Sequence, residues 1–372
     1  MSGSQRLVAL DLLRGLAVAG MILVVSPGSW SMVYAPLKHA DWHGWTPGDL
    51  VFPTFLTCVG MAIGLMVPRL TPADRARPAL WLKVARRTAL LILLGLALNA
   101  LPALDLATLR IPGILQRIAL CYALATAICV LTAGRGEGGR LAFNLPAAAI
   151  ATTALLAIYW ALIAFVPVPG FGVGRLDAEG SLPAYVDRVV LTVPHLWNQG
   201  VTYDPEGLLS TLPATVNVLL GTVAARLAAQ GRKGWVLALG VVLIVAGLAL
   251  DPVMPINKRL WTPSFALLSS GIATVVFVGL EMVSKSRRGG WLLIVLGGNA
   301  ILAFILSQLL GVFGGLPILP GAQPTPQGFI YAQVLKAIAD PYLASLACAV
   351  LVLALITAIL IPLHRRGIHL RL

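Results

Sequence analysis

The sequence has few charged residues. Only 11% of its 372 residues are Asp, Glu, Lys or Arg, whereas 58% are hydrophobic, and the mean hydropathy is +0.90. So little polar surface excludes a soluble globule of this size. A bilayer core about 30 Å thick needs about 20 apolar residues per helical span, and such runs recur along the whole chain. We therefore predict an all-α, polytopic integral membrane protein.

Cysteine is also scarce, and motifs typical of metal sites are missing. Cys58, Cys121, Cys129 and Cys348 all lie in apolar runs, and none belongs to a CxxC pair. This pattern argues against a disulfide framework and against a cysteine-based zinc site. An HExxH motif is missing too. We expect no metal cofactor.

About ten apolar runs are long enough to cross a bilayer. The first carries Asp11 and Arg14 in its body and has no small-residue cleavage site after it, so we interpret it as a retained helix and not as a signal peptide. The predicted spans are residues 7–27, 49–68, 83–103, 111–133, 141–166, 208–229, 234–251, 261–283, 291–311 and 336–362.

The basic residues indicate the orientation of these spans. The net charge is +13, but Lys and Arg concentrate in alternate short loops and at both ends, from Arg6 to Arg371, and not on one domain. This distribution argues against nucleic acid as a partner and, by the positive-inside rule, places both termini in the cytoplasm. We predict one membrane domain over residues 1–372, with an extracytoplasmic loop region at about 167–207, which is too long for a simple connector.

The predicted outer face carries the densest polar chemistry, in the stretch KHADWHGWTPGDLVFPTF. Histidine changes charge near neutral pH, so His39 is the natural general base. His43 follows four residues later, but Gly44 and Pro47 favour a loop over a helix that would align the two for a metal. Asp49 opens the second span, where a carboxylate suits a helix N-terminus.

Other candidates have both an ordinary and a functional interpretation. Trp42 and Trp45 suit a membrane-interface belt or a sugar-stacking wall. Asp11 and Arg14 lie three residues apart on one helix face, as an interfacial ion pair or as the lining of a cavity that opens to the cytoplasm. Several polar residues lie in apolar runs, where they favour helix–helix hydrogen bonds or a polar interior: Asn99, Gln116, Arg117, Asn217 and Asn299.

Six blocks occur in order over nearly the whole chain. They are LDLLRGLAVAGMILV, PGSWSMVYAPLKHADWHGWTPGDLVFPTFLTCVGMAIGL, RIPGILQRIALCY, YDPEGLLSTLPA, INKRLWTPSFALL and GGNAILAF. With these blocks the chain resembles the heparan-α-glucosaminide N-acetyltransferase family and its bacterial relatives. The resemblance implies transfer of an acetyl group from cytoplasmic acetyl-CoA, as co-substrate, to the amine of an amino-sugar acceptor across the membrane. It also implies a homodimer in contact with membrane lipid, and we expect a bacterial cytoplasmic membrane.

The resemblance also implies roles for individual residues. His39 matches the catalytic histidine. The residues assigned to support or acetyl-CoA binding are Asp11, Arg14, Ser26, Asp49, Gln116, Arg117 and Asn299. Those assigned to the sugar are Trp42, Trp45, Asp204 and Glu206. One departure concerns Val25 and Ser26, because relatives carry an asparagine just before the PGSW block, and here only a hydroxyl is available.

Two alternatives remain open. Intramembrane charges and buried amides also mark the pathways of transporters. Against a transporter, no internal repeat is visible, and the densest chemistry lies in an outer loop and not at a helix break within the membrane. The second alternative is a noncatalytic relative that binds a sugar or acetyl-CoA.

Overall fold

The computed structural model describes residues 8–101, 104–283, 290–316 and 325–370, and within them most of the chain is helical. Two short strands, β1 (Gly134–Arg135) and β2 (Leu141–Ala142), pair antiparallel. The all-α prediction is confirmed. The helices are α1 (Val8–Val25), α2 (Val51–Met66), α3 (Pro72–Ala76), α4 (Pro78–Ala100), α5 (Ile114–Leu131), α6 (Leu145–Phe165), α7 (Leu182–Leu191), α8 (Thr211–Ala229), α9 (Lys233–Leu250), α10 (Pro263–Val283), α11 (Trp291–Gly298), α12 (Ala300–Gly315), α13 (Pro326–Ala337) and α14 (Pro341–Arg365).

The described residues contain eight helices long and apolar enough to cross a membrane, or nine if α11 and α12 count as one broken span. The protein is therefore a multi-pass membrane protein, as predicted, but with a lower count than the ten runs. The predicted span that is not among these helices is residues 83–103. It forms the helix α4, but α4 carries Lys83, Arg86 and Arg87 in its first half and is not apolar enough to be counted. The prediction that both termini lie on one side requires α4 to span. The orientation was predicted from basic residues, and five of these lie outside the described residues: Arg6, Lys285, Arg287, Arg288 and Arg371.

Two predicted spans are divided. The run 291–311 breaks at Asn299, where α11 and α12 meet at an angle of 83°. The run 336–362 begins instead at Pro341, because Asp340 caps α14 by accepting a hydrogen bond from Leu343 N at 2.8 Å. Glycine and asparagine lower helix propensity at the first break, and proline at N1 starts a new helix at the second.

Contacts divide the chain into two compact units. The first comprises Met1–Asp41, Trp45–Phe55 and Gly279–Arg371, and the second comprises Trp42–Gly44, Leu56–Val278 and Leu372. The prediction of one undivided domain stays a prediction.

In the first unit α1 packs most extensively against α11. The backbones are close enough that a Cβ at Gly15 would overlap the Leu293 carbonyl, and one at Gly297 would overlap the Asp11 carbonyl. Small residues permit such close approach of membrane helices. This crossing brings the charged turn of α1 beside the break at Asn299.

In the second unit α8 is the most buried of the long helices. Gly60 and Gly64 of α2 lie against its backbone at Val218 and Thr222. Its amide, Asn217, is fully satisfied as a helix–helix contact: Nδ2 donates to Ser270 Oγ at 2.7 Å, and Oδ1 accepts from Trp261 Nε1 at 2.9 Å. The segment that follows α6 is ordered and contains the amphipathic helix α7.

Candidate active site

His39 is paired with Asp49 in the first unit. The His39 Nδ1 lies 2.8 Å from Asp49 Oδ1, and the carboxylate is buried whereas the imidazole is 41% exposed. Asp49 Oδ2 accepts hydrogen bonds from Thr46 N and Ala40 N, both at 3.0 Å. The carboxylate is thus fixed by the backbone on one oxygen and holds the histidine with the other.

The chain around this pair folds into two short 3₁₀ helices, Ala35–Leu37 and Pro47–Leu50. Thr46 and Asp49 form a capping box at the start of the second, so the capping role expected of Asp49 and its contact with His39 coexist. Gly48 packs against the carbonyls of Leu37 and Lys38, with its Cβ position only 3.1 and 3.2 Å away from them. A larger residue there would push the two 3₁₀ helices apart.

The pairing fixes which imidazole nitrogen is basic. An ionised carboxylate only accepts hydrogen bonds, so Nδ1 must carry the proton that it shares with Asp49. In neutral His39 the lone pair is then on Nε2. A nucleophile or base oriented by a third group is the arrangement found in hydrolases and acyltransferases that use an activated residue.

Asp11 and Arg14 share a helix face, as the spacing indicates. Arg14 Nη1 lies 3.6 Å from Asp11 Oδ1, and it donates to the Gly297 carbonyl at 3.4 Å. Asp11 is buried and Arg14 is partly exposed. Gly297 precedes Asn299 by two positions in the chain. The contact of Arg14 with the Gly297 carbonyl therefore places the charged pair of α1 near Asn299.

Asn299 lies at the break between α11 and α12 and is 1% exposed. Neither its Nδ2 nor its Oδ1 has a hydrogen-bond partner among the described residues. A buried amide without partners costs free energy, so such a group is a candidate for ligand binding. The Ser26 hydroxyl oxygen, also in the first unit, is buried without a partner in the described chain as well.

The two tryptophans have different environments. Trp42 donates from Nε1 to the Leu176 carbonyl at 2.7 Å and packs edge-on against Tyr203 at 5.1 Å. Trp45 is 39% exposed. His43 is next to Asn257, with its Nδ1 3.4 Å from the amide nitrogen. Across the described residues no three His, Cys, Asp or Glu side chains are grouped to hold a metal ion.

Gln116 and Arg117 stabilise the start of α5 and its surroundings. Gln116 Nε2 donates to the Ile111 carbonyl at 3.0 Å. Arg117, 1% exposed, donates from Nη2 to Ser210 Oγ at 2.6 Å and to the Gly207 carbonyl at 2.8 Å. These contacts give both residues a structural role, and their part in acetyl-CoA binding stays a prediction.

Asp204 and Glu206 converge on one arginine that sequence reasoning had treated only as a marker of orientation. Arg110 contacts both Asp204 oxygens, at 2.7 and 2.8 Å, and Glu206 Oε2 at 2.6 Å. Bidentate pairs of this kind are among the stronger ion pairs. The two carboxylates are therefore already engaged, and their predicted contact with a sugar stays a prediction.

Asp187 is a buried carboxyl that the sequence reasoning missed. It lies in α7 at 1% exposure and accepts a hydrogen bond from Leu208 N at 2.8 Å. Burial is the main cause that raises the pKa of Asp187 from 3.8 to about 7. The visible signal was an acidic residue within the apolar sequence LPAYVDRVVL.

The raised pKa predicts a pH-dependent stability. The folded state binds the proton more tightly than the unfolded chain, so stability falls as pH rises from about 4 to about 7 and levels off above. Asp187→Asn is expected to remove this decline and to stabilise the protein at pH 8 by up to about 4 kcal/mol. Thermal unfolding of the detergent-solubilised protein across this range measures it. Asp177→Asn is the control that retains the decline, and equal profiles for wild type and Asp187→Asn would contradict the prediction.

Comparison with known proteins supports the resemblance seen in the motifs. A family profile described as "Heparan-alpha-glucosaminide N-acetyltransferase, catalytic" matches residues 6–171, a range that includes His39 and Asp49. Two proteins named heparan-alpha-glucosaminide N-acetyltransferase are similar to the chain. The mouse protein (Mus musculus) is 28% identical over 359 residues, covering 83% of this chain and 54% of its own length. The human protein (Homo sapiens) is 27% identical over 353 residues, covering 81% of this chain and 52% of its own length.

The chain spans about half the length of both curated relatives. The matched profile contains the charged turn of α1 and the His39–Asp49 pair, and the two alignments extend over most of the chain. The resemblance predicted from the six blocks is confirmed: the chain is similar to proteins named heparan-alpha-glucosaminide N-acetyltransferase over most of its length.

Proposed function

We propose that this protein is a transmembrane N-acetyltransferase that moves an acetyl group from cytoplasmic acetyl-CoA to the amine of an extracytoplasmic hexosamine, in a bacterial cytoplasmic membrane. The observation that carries the proposal is the His39–Asp49 pair, in which a buried carboxylate orients an exposed imidazole. The acceptor class, glucosamine or a cell-wall amino sugar, is supported by the similarity to proteins named for heparan-alpha-glucosaminide and by the predicted outer location of His39.

In the direct route the amine nitrogen of the sugar attacks the thioester carbonyl as His39 Nε2 removes a proton from that nitrogen. The C–N bond forms, the C–S bond breaks, and the CoA thiolate leaves and takes up the proton that His39 holds. Asp49 stabilises the imidazolium between these steps, because its charge lies 2.8 Å from Nδ1. In the alternative route His39 Nε2 attacks the thioester first, the C–S bond breaks and the CoA thiolate leaves. The amine nitrogen then attacks the acetyl-imidazole, the bond from the acetyl carbon to Nε2 breaks, and the released imidazole takes up the amine proton and passes it on to the thiolate or to water.

The donor side of the reaction is supported by the cluster at the α1–α11 crossing. Arg14 supplies a cation and Asn299 supplies a donor and an acceptor without partners in the described chain. The pantetheine arm of CoA carries amides and a thioester carbonyl, which such groups can bind. We assign Asp11, Arg14 and Asn299 to the path of this arm, and Ser26 to the region where relatives carry an asparagine.

The test uses the purified chain in liposomes, with glucosamine inside and acetyl-labelled CoA outside. Labelled N-acetylglucosamine in the lumen is expected, because the labelled acetyl group crosses and CoA stays outside. A transporter is the second candidate, favoured by the break at Asn299, since broken helices with polar groups line transport pathways. Flux of unmodified glucosamine without acetyl-CoA, and no labelled product, would support that candidate and refute the enzyme.

Asn299 supplies a separate test of the donor site. Asn299→Ala is expected to raise the KM for acetyl-CoA about tenfold with a smaller change in kcat, because one or two hydrogen bonds to the bound arm are lost. Asn217→Ala is the matched control, since that amide is fully engaged within the protein and should alter stability instead. An unchanged KM in Asn299→Ala would remove Asn299 from the donor site.

A further inference from the structure

An apolar groove runs along α6 in the second unit, on the side of α8, α9 and the start of α10. Its volume is about 850 Å³, within the range of small-molecule sites in proteins. None of the described residues that line it is charged. None of its lining residues belongs to the candidate active site, and the proposed acetyl transfer does not use it.

The groove is as long as the bilayer core is thick. Leu145 and Phe165, the two ends of α6, both line it, and a helix of 21 residues is about 30 Å long. The hydrocarbon core of a bilayer has about this thickness. The groove is therefore positioned to be filled from the lipid phase over its whole length.

Small side chains form the floor of the groove. Along α6 the lining side chains Ala149, Thr153, Ala157 and Ala161 recur every four residues and form a narrow floor.

One end of the groove is positively charged. On α8, Arg226 follows the lining residue Val223 by three positions, so both lie on the same helix face. The Arg226 Nε is buried and has no hydrogen-bond partner among the described residues. Arg232, at the start of α9, precedes the lining residue Leu239 by two helical turns and stacks over Trp235. Neither arginine belongs to an ion pair in the described chain.

Other charged groups near this end are the exposed Arg140 and Glu137 of the loop before α6, and Lys233 at the start of α9. The net charge of the five groups is positive, and by the positive-inside rule this end faces the cytoplasm. Basic pockets between membrane helices on the cytoplasmic side suit anionic lipid headgroups. A lipid with an anionic headgroup complements both the apolar lining of the groove and this positive end.

We propose that this groove binds an anionic glycerophospholipid of the cytoplasmic leaflet, with its phosphate at Arg226 and Arg232 and an acyl chain along α6. The lipid phosphate pairs with the two arginines, including the unpartnered Nε of Arg226, and the acyl chain fills the apolar recess. Occupancy then depends on two separable features, the charge at one end and the open volume along the helix.

The test is native mass spectrometry of the full chain, purified in detergent and supplied with phosphatidylglycerol or phosphatidylcholine that carry identical acyl chains. Wild type is expected to retain phosphatidylglycerol in preference. Arg226→Gln combined with Arg232→Gln should lower the affinity for phosphatidylglycerol about tenfold or more and abolish the preference. Arg135→Gln, an exposed basic residue of β1, is the charge control.

The volume is tested separately by Ala157→Trp, which fills the floor of the groove and should weaken both lipids. Ile158→Trp, one residue away and exposed outside the groove, is its control. Equal retention of phosphatidylglycerol by wild type, the double arginine variant and Ala157→Trp overturns the proposal. Loss of a dimer in Ala157→Trp with lipid retention unchanged overturns it as well, because a second copy would then occupy the face.

Discussion

His39→Ala is expected to lower the rate of acetyl transfer by about 10²- to 10⁴-fold, the usual contribution of a positioned general base. The loss should appear in kcat, with the KM for acetyl-CoA little changed, because His39 contacts the reacting atoms and the donor arm is held elsewhere. Asp49→Asn should lower kcat by a similar order, because an amide at position 49 can donate to Nδ1 and favour the wrong tautomer. Initial rates in the liposome assay measure both.

His43→Ala is the matched control. It removes a histidine from the same polar stretch, one that lies beside Asn257 and not beside Asp49. Its rate should stay within a few-fold of wild type. A His39→Ala rate equally close to wild type would exclude His39 from the mechanism.

The same variant separates the two chemical routes. Labelled acetyl-CoA without acceptor should leave label on the wild-type protein, and none on His39→Ala, only if the acetyl group passes through the imidazole. Intersecting double-reciprocal plots with no labelled protein would establish direct transfer in a ternary complex.

Arg117→Leu is expected to be the most destabilising single change among the predicted site residues, by about 2–4 kcal/mol, because a buried hydrogen-bond network is lost. The side chain is 1% exposed and donates four hydrogen bonds, to the carbonyls of Pro205, Gly207 and Ser210 and to the Ser210 hydroxyl. Its guanidinium also stacks over Trp261 at 5.2 Å. Leucine removes all four of these contacts; the Gly207 and Ser210 carbonyls keep other donors, whereas the Pro205 carbonyl loses the side-chain donor that it has from Arg117.

Thermal unfolding in detergent and proteolysis at residues 203–210 measure the effect of Arg117→Leu. Arg117→Lys should recover only part of the loss, because an ammonium cannot reproduce the planar fork of donors. Arg175→Gln breaks an exposed ion pair with Asp177 and should change stability by less than about 1 kcal/mol. Equal unfolding temperatures for Arg117→Leu and Arg175→Gln would contradict the structural role of Arg117.

Hydropathy predicted most of the membrane helices, since lipid imposes long apolar runs that are visible in the sequence. It could not locate the break at Asn299, because the residues on both sides of it are equally apolar, and the low helix propensity of Gly297, Gly298 and Asn299 does not by itself decide whether a helix breaks. Nor could hydropathy decide whether α4 spans the membrane, because Lys83, Arg86 and Arg87 interrupt its apolar run although the helix forms.

The residue types at the candidate site were predictable, but their partners were not. His39 and Asp49 were both predicted as site residues. Their separation of ten positions in the sequence does not show that the loop between them folds back and pairs the two side chains. Asp11 and Asn299 are nearly 300 positions apart, and only the α1–α11 crossing relates them. Arg110 and Asp187 were missed because one resembled a loop cation and the other a surface carboxylate.

Asp49 both caps the helical segment that leads into α2 and fixes the orientation of His39. Fraying of that first turn would therefore release the imidazole at the same moment. The His39–Asp49 pair persists only as long as this helix terminus stays folded. Amide hydrogen exchange at Ala40, Thr46 and Asp49 then reports on the competence of the enzyme directly. Any lipid, temperature or nearby substitution that slows exchange at these three amides should prolong the productive state of the histidine.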